Sequence, residues 1–226
     1  MAKGRRICLL AALRHELTPL LGLAAWRKER LGRRDFYSLE RGGIEWVATT
    51  SGLGKVMAAA TTQLLLDVYD PELIINFGSC GGLESSLAIG DLILADRVVE
   101  YDFISHHKPA PNVRLESGLI ERLQAAFPGL KSGCLASADR NADVPAVRER
   151  LYRDYQALAA DWEGAAVVRV AARWGCPALV LRGVTDIGED ELTVEYEQHF
   201  SGVLESVARQ LLDLIDFIAA GPMSAP

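Results

Sequence analysis

Three carboxylates follow strand-like stretches of this chain, and together they suggest a particular chemistry. Glu16 comes three residues after an apolar run over residues 7–13. Glu163 lies in Asp161-Trp162-Glu163-Gly164-Ala165-Ala166, which opens a helical pattern. Asp186 closes Leu181-Arg182-Gly183-Val184-Thr185-Asp186, where a buried strand runs straight into an acid. Ligands of open α/β sheets gather at the carboxyl ends of strands, so the three acids share one expected neighbourhood. Several carboxylates around one pocket suit cleavage of a glycosidic bond: one acid protonates the leaving group, another activates water, and negative charge steadies an oxocarbenium-like sugar. An acid buried at a strand end can stay protonated, as a general acid must.

Each acid also has a plainer explanation. Asp161 or Glu163 would serve equally as a first-turn acid favoured by the helix dipole. Asp186 would serve as a turn residue, and Trp162 as a core residue. The stretch Asn76-Phe77-Gly78-Ser79-Cys80-Gly81-Gly82 permits close backbone approach to a ligand, with N–H groups and the Ser79 hydroxyl available for an oxygen-rich group. It matches neither the dinucleotide fingerprint nor a P-loop, and it reads equally as a tight turn. His106 and His107 are adjacent, but sequence neighbours rarely face one ion and no third ligand is apparent, so no metal is expected.

The elements that must position these groups alternate. Strands are predicted at 7–13, 45–50, 73–77, 91–99, 134–137 and 178–184, with a hairpin turn at Arg41-Gly42-Gly43. Helices are predicted at 54–69, with Val56, Ala60, Leu64 and Val68 on one stripe, and at 117–127, 145–158 and 163–174. A last helix at 194–219 carries Val203, Val207, Leu211, Leu214 and Ile218. This alternation predicts an α/β class: a single domain over 1–220 with a central mixed β-sheet flanked by helices on both faces, then a flexible tail at 221–226.

Composition narrows the function classes. Of 226 residues, 24 are Lys or Arg and 30 Asp or Glu, a net charge of −6 that disfavours non-specific nucleic-acid binding. No apolar run approaches the ~20 residues of a membrane span. The basic start superficially resembles a leader, but its apolar stretch stops at Arg14-His15-Glu16 without a clear cleavage site, and it reads as a strand. Cys8, Cys80, Cys134 and Cys176 are too scattered for a disulfide framework or zinc site, which fits reduced thiols in a cytoplasmic protein.

Six pieces in order resemble the purine nucleoside phosphorylase-like family, and within it the methylthioadenosine/S-adenosylhomocysteine nucleosidases: residues 12–16, 51–56, 74–82, Gly90-Asp91, 162–166 and 182–186. The resemblance implies roles at the matching positions. Glu16 would activate the attacking water. Asp186 would protonate purine N7, with Thr185 beside it, and Glu163 would hold the ribose hydroxyls. Ser79 and Gly81 would lie beneath the nucleoside, with Ala142, Trp162 and the supporting-strand Arg182 also at the substrate. It implies no cofactor and no metal, a purine nucleoside as small-molecule partner, and a homodimer in which residues 104–111 reach toward the neighbouring pocket. Tyr196 and Phe200 would either close the pocket or belong to the core of the last helix.

Phosphorylase relatives carry an arginine before the glycine turn, where this chain has Asn76, and they tend to carry one in the first loop, where it has Glu16. The missing phosphate ligands point to water as nucleophile, Arg14 being the one residue that could substitute. Two departures concern the substrate. Asn141 stands in Ser137-Ala138-Asp139-Arg140-Asn141-Ala142 where the family has a stacking Phe, and Trp162 stands for a Met. The leading expectation is release of adenine from a 5′-modified adenosine. The alternatives are futalosine or aminodeoxyfutalosine hydrolysis on the same fold, and a non-catalytic nucleoside-binding domain.

Overall fold

The first strand, β1 (Arg5–Ala11), is buried along its last five residues because the sheet continues on both sides of it and helices cover both faces. The computed structural model describes residues 4–187 and 192–221, and for 192–197 the backbone only. After β1 come α1 (Arg14–Gly22), β2 (Arg27–Leu31), β3 (Arg34–Arg41), β4 (Ile44–Thr50), α2 (Lys55–Tyr69), β5 (Leu73–Gly82) and β6 (Leu92–Glu100). The chain continues through β7 (Asn112–Arg114), α3 (Ser117–Ala126), β8 (Lys131–Ser137), α4 (Pro145–Tyr155), β9 (Ala157–Asp161), α5 (Gly164–Arg173), β10 (Ala178–Asp186) and α6 (Leu192–Ala220).

The sheet is mixed, and part of it closes on itself. β5 runs parallel to both β1 and β10; β10 pairs with β6, β6 with β8 and β8 with β9. The end of β9 then returns to β5, with Gly81 opposite Ala160 and Gly82 opposite Ala159. Five strands therefore form a ring, and β4, β3 and β2 extend from β1 as an open flank. Helices α1, α3 and α6 bury Leu17, Leu20, Leu119, Leu123, Leu211 and Leu214 against one face. Helices α2 and α5 bury Ala58, Leu65, Val167 and Ala171 against the other. The α/β class with a mixed, two-sided sheet is the architecture predicted above, and the apolar stripe of the last helix is buried throughout.

Local structure departs from the sequence reading in several places. The first strand ends at Ala11 and α1 follows at once, so Glu16 sits in a helix and not in a loop. The edge strand β2 is exposed at every residue and lacks any hydrophobic alternation to mark it. Residues 156–158, predicted as helix, leave it through Gln156 in the left-handed region (φ 52°), and β9 follows with alternating burial. The glycine-rich stretch is no turn; it is the second half of β5. Of the α2 stripe, Val56, Ala60 and Val68 are exposed, Val56 at 76%, and only Leu64 packs partly against the core, while Ala58, Thr61, Thr62 and Leu65 face inward. Apart from Gly221, the predicted tail lies outside the described residues.

Candidate active site

The second half of β5 lies at the centre of the site because its glycines let two carboxylates approach its backbone. A Cβ on Gly78 would run into Glu16 Oε1, and one on Gly81 would lie 2.8 Å from Asp186 Oδ1. Each acid reaches that strand by a different route. Glu16 is the third residue of α1, and its Oε2 accepts the backbone N–H groups of Ala12 (3.0 Å) and Leu13 (2.9 Å), which the helix start leaves unpaired. Its Oε1 accepts the N–H of Ser79 at 3.0 Å, and the Ser79 hydroxyl lies 3.3 Å away. Asp186 ends β10 after a register shift at Thr185, an irregularity that re-aims the acid so that it pairs across to Gly81. Thr185 Oγ1 lies 2.8 Å from Asp186 Oδ2 and 3.2 Å from the Cys80 carbonyl.

Asp161 and Glu163, both candidates for a simple helix cap, have different roles here. Asp161 caps: Oδ2 accepts the Gly164 N–H at 2.9 Å, and Oδ1 bonds the Ser137 hydroxyl, which in turn accepts the Ala165 N–H at 2.9 Å. The Glu163 side chain makes no bond to its own helix; its Oε1 accepts the Gly54 N–H at the start of α2, 2.8 Å away. Burial, with the negative charge of Asp161 added, pushes the Glu163 carboxyl up to about 7, against the opposing pull of the Gly54 N–H and the Arg182 guanidinium.

Beneath these acids lies a buried polar network. Arg182, 2% exposed, donates to Asp161 Oδ2 through Nε (3.0 Å) and Nη2 (2.5 Å), and Nη2 also reaches Asn76 Oδ1. Asn76 Nδ2 donates to the Leu10 carbonyl at 2.8 Å, so the network ties β1, β5, β9 and β10 together. A second network holds the start of α2. Lys55 Nζ pairs with Glu100 (2.8 Å) and Asp102 (2.5 Å), its N–H donates to Asp139 Oδ1 (2.7 Å), and the Asp139 N–H donates to Asp102 Oδ2. Burial pulls the Lys55 ammonium down, but the two carboxylates outweigh it and hold it above its ordinary value.

The acids Glu16, Glu163 and Asp186 line one cavity of about 300 Å³, at the small end of the range for small-ligand sites. Of the residues singled out from sequence, Glu16, Ser79, Gly81, Ala142, Trp162, Glu163, Thr185 and Asp186 line it, as does Asn141. Arg182 does not; it stands behind Asp161, so it positions the site without lining it. The side chain of Tyr196 lies outside the described residues. Phe200 packs edge-on against His15, ring centroids 5.4 Å apart, and is not part of the lining. Sequence reading missed two lining arginines. Arg140 stacks over the Tyr101 ring at 5.3 Å, and Arg148 is buried on α4. Arg148 had one usable signal: it shares a helical stripe with Leu151, an inward position for a charge. Among the described residues, no three His, Cys, Asp or Glu side chains come together to hold a metal ion.

This ring of strands, with Glu16 on α1, Glu163 just after β9 and Asp186 at the end of β10 around one cavity, belongs to a member of the phosphorylase superfamily, whose family model matches residues 6–217. The methylthioadenosine/S-adenosylhomocysteine nucleosidase of Geobacillus thermodenitrificans (strain NG80-2) is 34% identical, covering 76% of this chain and 78% of its own. That of Geobacillus sp. (strain WCH70) is 27% identical over 93% and 96%. The solved Helicobacter pylori nucleosidase of the same name superposes with a TM-score of 0.87 at 25% identity, covering 95% of this chain and 99% of its own. A structure described as futalosine hydrolase of Helicobacter pylori strain 26695 gives 0.86 at 25%, over 95% and 98%. Within the superfamily, this chain belongs to the 5′-methylthioadenosine/S-adenosylhomocysteine nucleosidase family.

Proposed function

We propose that the chain hydrolyses the N-glycosidic bond of 5′-modified adenosines of the methylthioadenosine and S-adenosylhomocysteine type, releasing adenine. The observation that carries this reading is the placement of Glu16 and Asp186 against Gly78 and Gly81 of one strand, with Glu163 in the same cavity. The names of the relatives support the substrate type. Asp186 gives a proton to purine N7 as the C1′–N9 bond breaks and its electron pair moves into the base. Glu16 takes a proton from water as the water oxygen bonds C1′. Glu163 accepts the ribose hydroxyls, a bond that tightens as the sugar gains positive charge. Asn76 and Glu16 stand where a phosphate nucleophile would need cations, and Asn76 is engaged by Arg182 and Leu10. The test is base release from methylthioadenosine, with and without phosphate, followed by chromatography. Release without phosphate is the expected result, and a strict phosphate requirement overturns the hydrolase reading.

The working species in this reading is a homodimer in the cytoplasm. Its support is the exposed Val56 and Val68 of α2, together with the exposed Leu53, Met57, Phe103 and Ile104, the last at 90%. The Lys55–Asp102 ion pair holds these two segments side by side, next to the cavity that Leu53 lines. A contiguous apolar surface of this kind marks an association site. Sedimentation should give a dimer mass, and Val56→Asp should shift it toward monomer; a monomeric wild type overturns the assignment. The four free cysteines support a reducing compartment.

A further inference from the structure

Arg148 is the feature of the cavity that the nucleosidase mechanism does not use. It is 9% exposed, it lines the cavity, and among the described residues no carboxylate lies within ion-pair distance of it. Its partners are all backbone carbonyls: Nη2 donates to Gly82 (2.7 Å) and Ile187 (3.1 Å), and Nη1 to Ala142 (3.3 Å). Gly82 and Ile187 directly follow Gly81 and Asp186, so the guanidinium sits at the Asp186 end of the cavity, away from Glu16 and Ser79. A guanidinium has five N–H donors and no acceptor. The three contacts use three of them, and the side chain that carries the other two lines the cavity.

The consequence concerns the base. N7 and the C6 substituent share one edge of a purine. In adenine that edge is an acceptor beside an amino donor; in a 6-oxopurine it is two adjacent acceptors. A group that protonates N7 therefore has the C6 substituent as its neighbour. Here the neighbouring side chain is a guanidinium, which can only donate, and it already engages the carbonyl of Ala142 in the cavity lining. We infer that Arg148 is a specificity-determining residue that binds a carbonyl at C6, so that the chain also cleaves 5′-modified nucleosides of 6-oxopurines, at least as well as their adenine counterparts. The inference rests on the nucleosidase reading and extends it in the base alone.

The test compares kcat/KM for 5′-methylthioinosine and 5′-methylthioadenosine, on the wild type and on Arg148→Met. The wild-type ratio of inosine to adenosine analogue should be one or more, and should fall about tenfold or further in the variant. Taking a ratio on one sample removes any loss of folded protein in the variant. Hypoxanthine should likewise inhibit the wild type at least as well as adenine. A clear wild-type preference for the adenosine analogue overturns the inference and leaves the nucleosidase reading standing. An unchanged ratio in Arg148→Met overturns it too, reducing Arg148 to a strut between three carbonyls. Release of no base from either analogue overturns the nucleosidase reading and this inference together.

Discussion

Glu16 and Ser79 are 63 residues apart in sequence, and the Glu16 carboxylate accepts the Ser79 N–H at 3.0 Å. The same side chain closes the start of α1 through Ala12 and Leu13, so one carboxylate joins a helix terminus to the central strand. In the proposed mechanism capping and catalysis therefore share one geometry. The bonds that satisfy the helix also lock the rotamer that presents Oε1 to the cavity, the kind of pre-organisation a positioned base requires.

Glu16→Gln keeps the shape of the side chain and removes its capacity to take a proton. The kcat should fall by about 10²–10⁴-fold, the usual contribution of a general base. The amide would also set N–H donors against the backbone donors at one end, so thermal stability should drop modestly. Base-release kinetics with a parallel melting curve check both, and a kcat within a few-fold of wild type would remove Glu16 from the mechanism.

Asp186→Asn should abolish turnover while leaving nucleoside binding largely intact, because an amide can still donate to N7 but cannot transfer the proton. Calorimetric Kd values within a few-fold of wild type, beside a kcat lowered by about 100-fold or more, is the expected pattern. Retained turnover would show that another group supplies the proton.

Gly81→Ala changes nothing chemical, yet its Cβ would lie 2.8 Å from Asp186 Oδ1. Moving a catalytic acid by a fraction of an ångström to an ångström can cost on the order of 100-fold in rate. The expected result is a kcat loss of that size with the fold retained by circular dichroism. Unchanged kinetics would mean that the Asp186 position is not critical.

Glu163, pushed up to about 7 chiefly by burial, is protonated in the folded chain over a pH range where the unfolded chain has lost that proton. Its contribution to stability is therefore best at low pH, falls as pH rises from the ordinary carboxylate value near 4.5, and levels off above about 7. Binding runs the other way, since the ionised acid is the better acceptor for ribose hydroxyls. KM for a nucleoside should decrease as pH rises through about 7. Glu163→Gln should flatten that profile, and an equally steep profile in the variant would assign the titration to another group.

Arg182→Met should destabilise the fold by roughly 3–5 kcal/mol, the cost of leaving Asp161 buried without its partner. Denaturant titration measures it. The double variant Arg182→Met with Asp161→Asn should recover part of the loss, and an additive loss would show that the two residues are not coupled.

The sequence by itself determined the class of fold, because the apolar runs of β1, β5 and β10 and the stripe of α6 encode strand and helix periods directly. It also singled out three acids by their place after strands. It left β2 and β9 unread, one because every residue is exposed and the other because five alternating residues after a helix read as more helix. It misjudged α2, where Val56 and Val68 of the apolar stripe are exposed while Thr61 and Thr62 are buried. Tertiary structure alone decided how the acids divide their work. Asp161 and Glu163 are two residues apart and were equal candidates for a cap, until Arg182, brought from β10 and itself held by Asn76 of β5, took up Asp161 and left Glu163 to Gly54. It alone brought Arg148 of α4 to the carbonyl of Ile187, the residue after Asp186, 39 positions away in sequence. Local patterns report which side of one element is apolar; they carry no information about which distant backbone will supply a hydrogen-bond partner, and in this site those distant partners assign the roles.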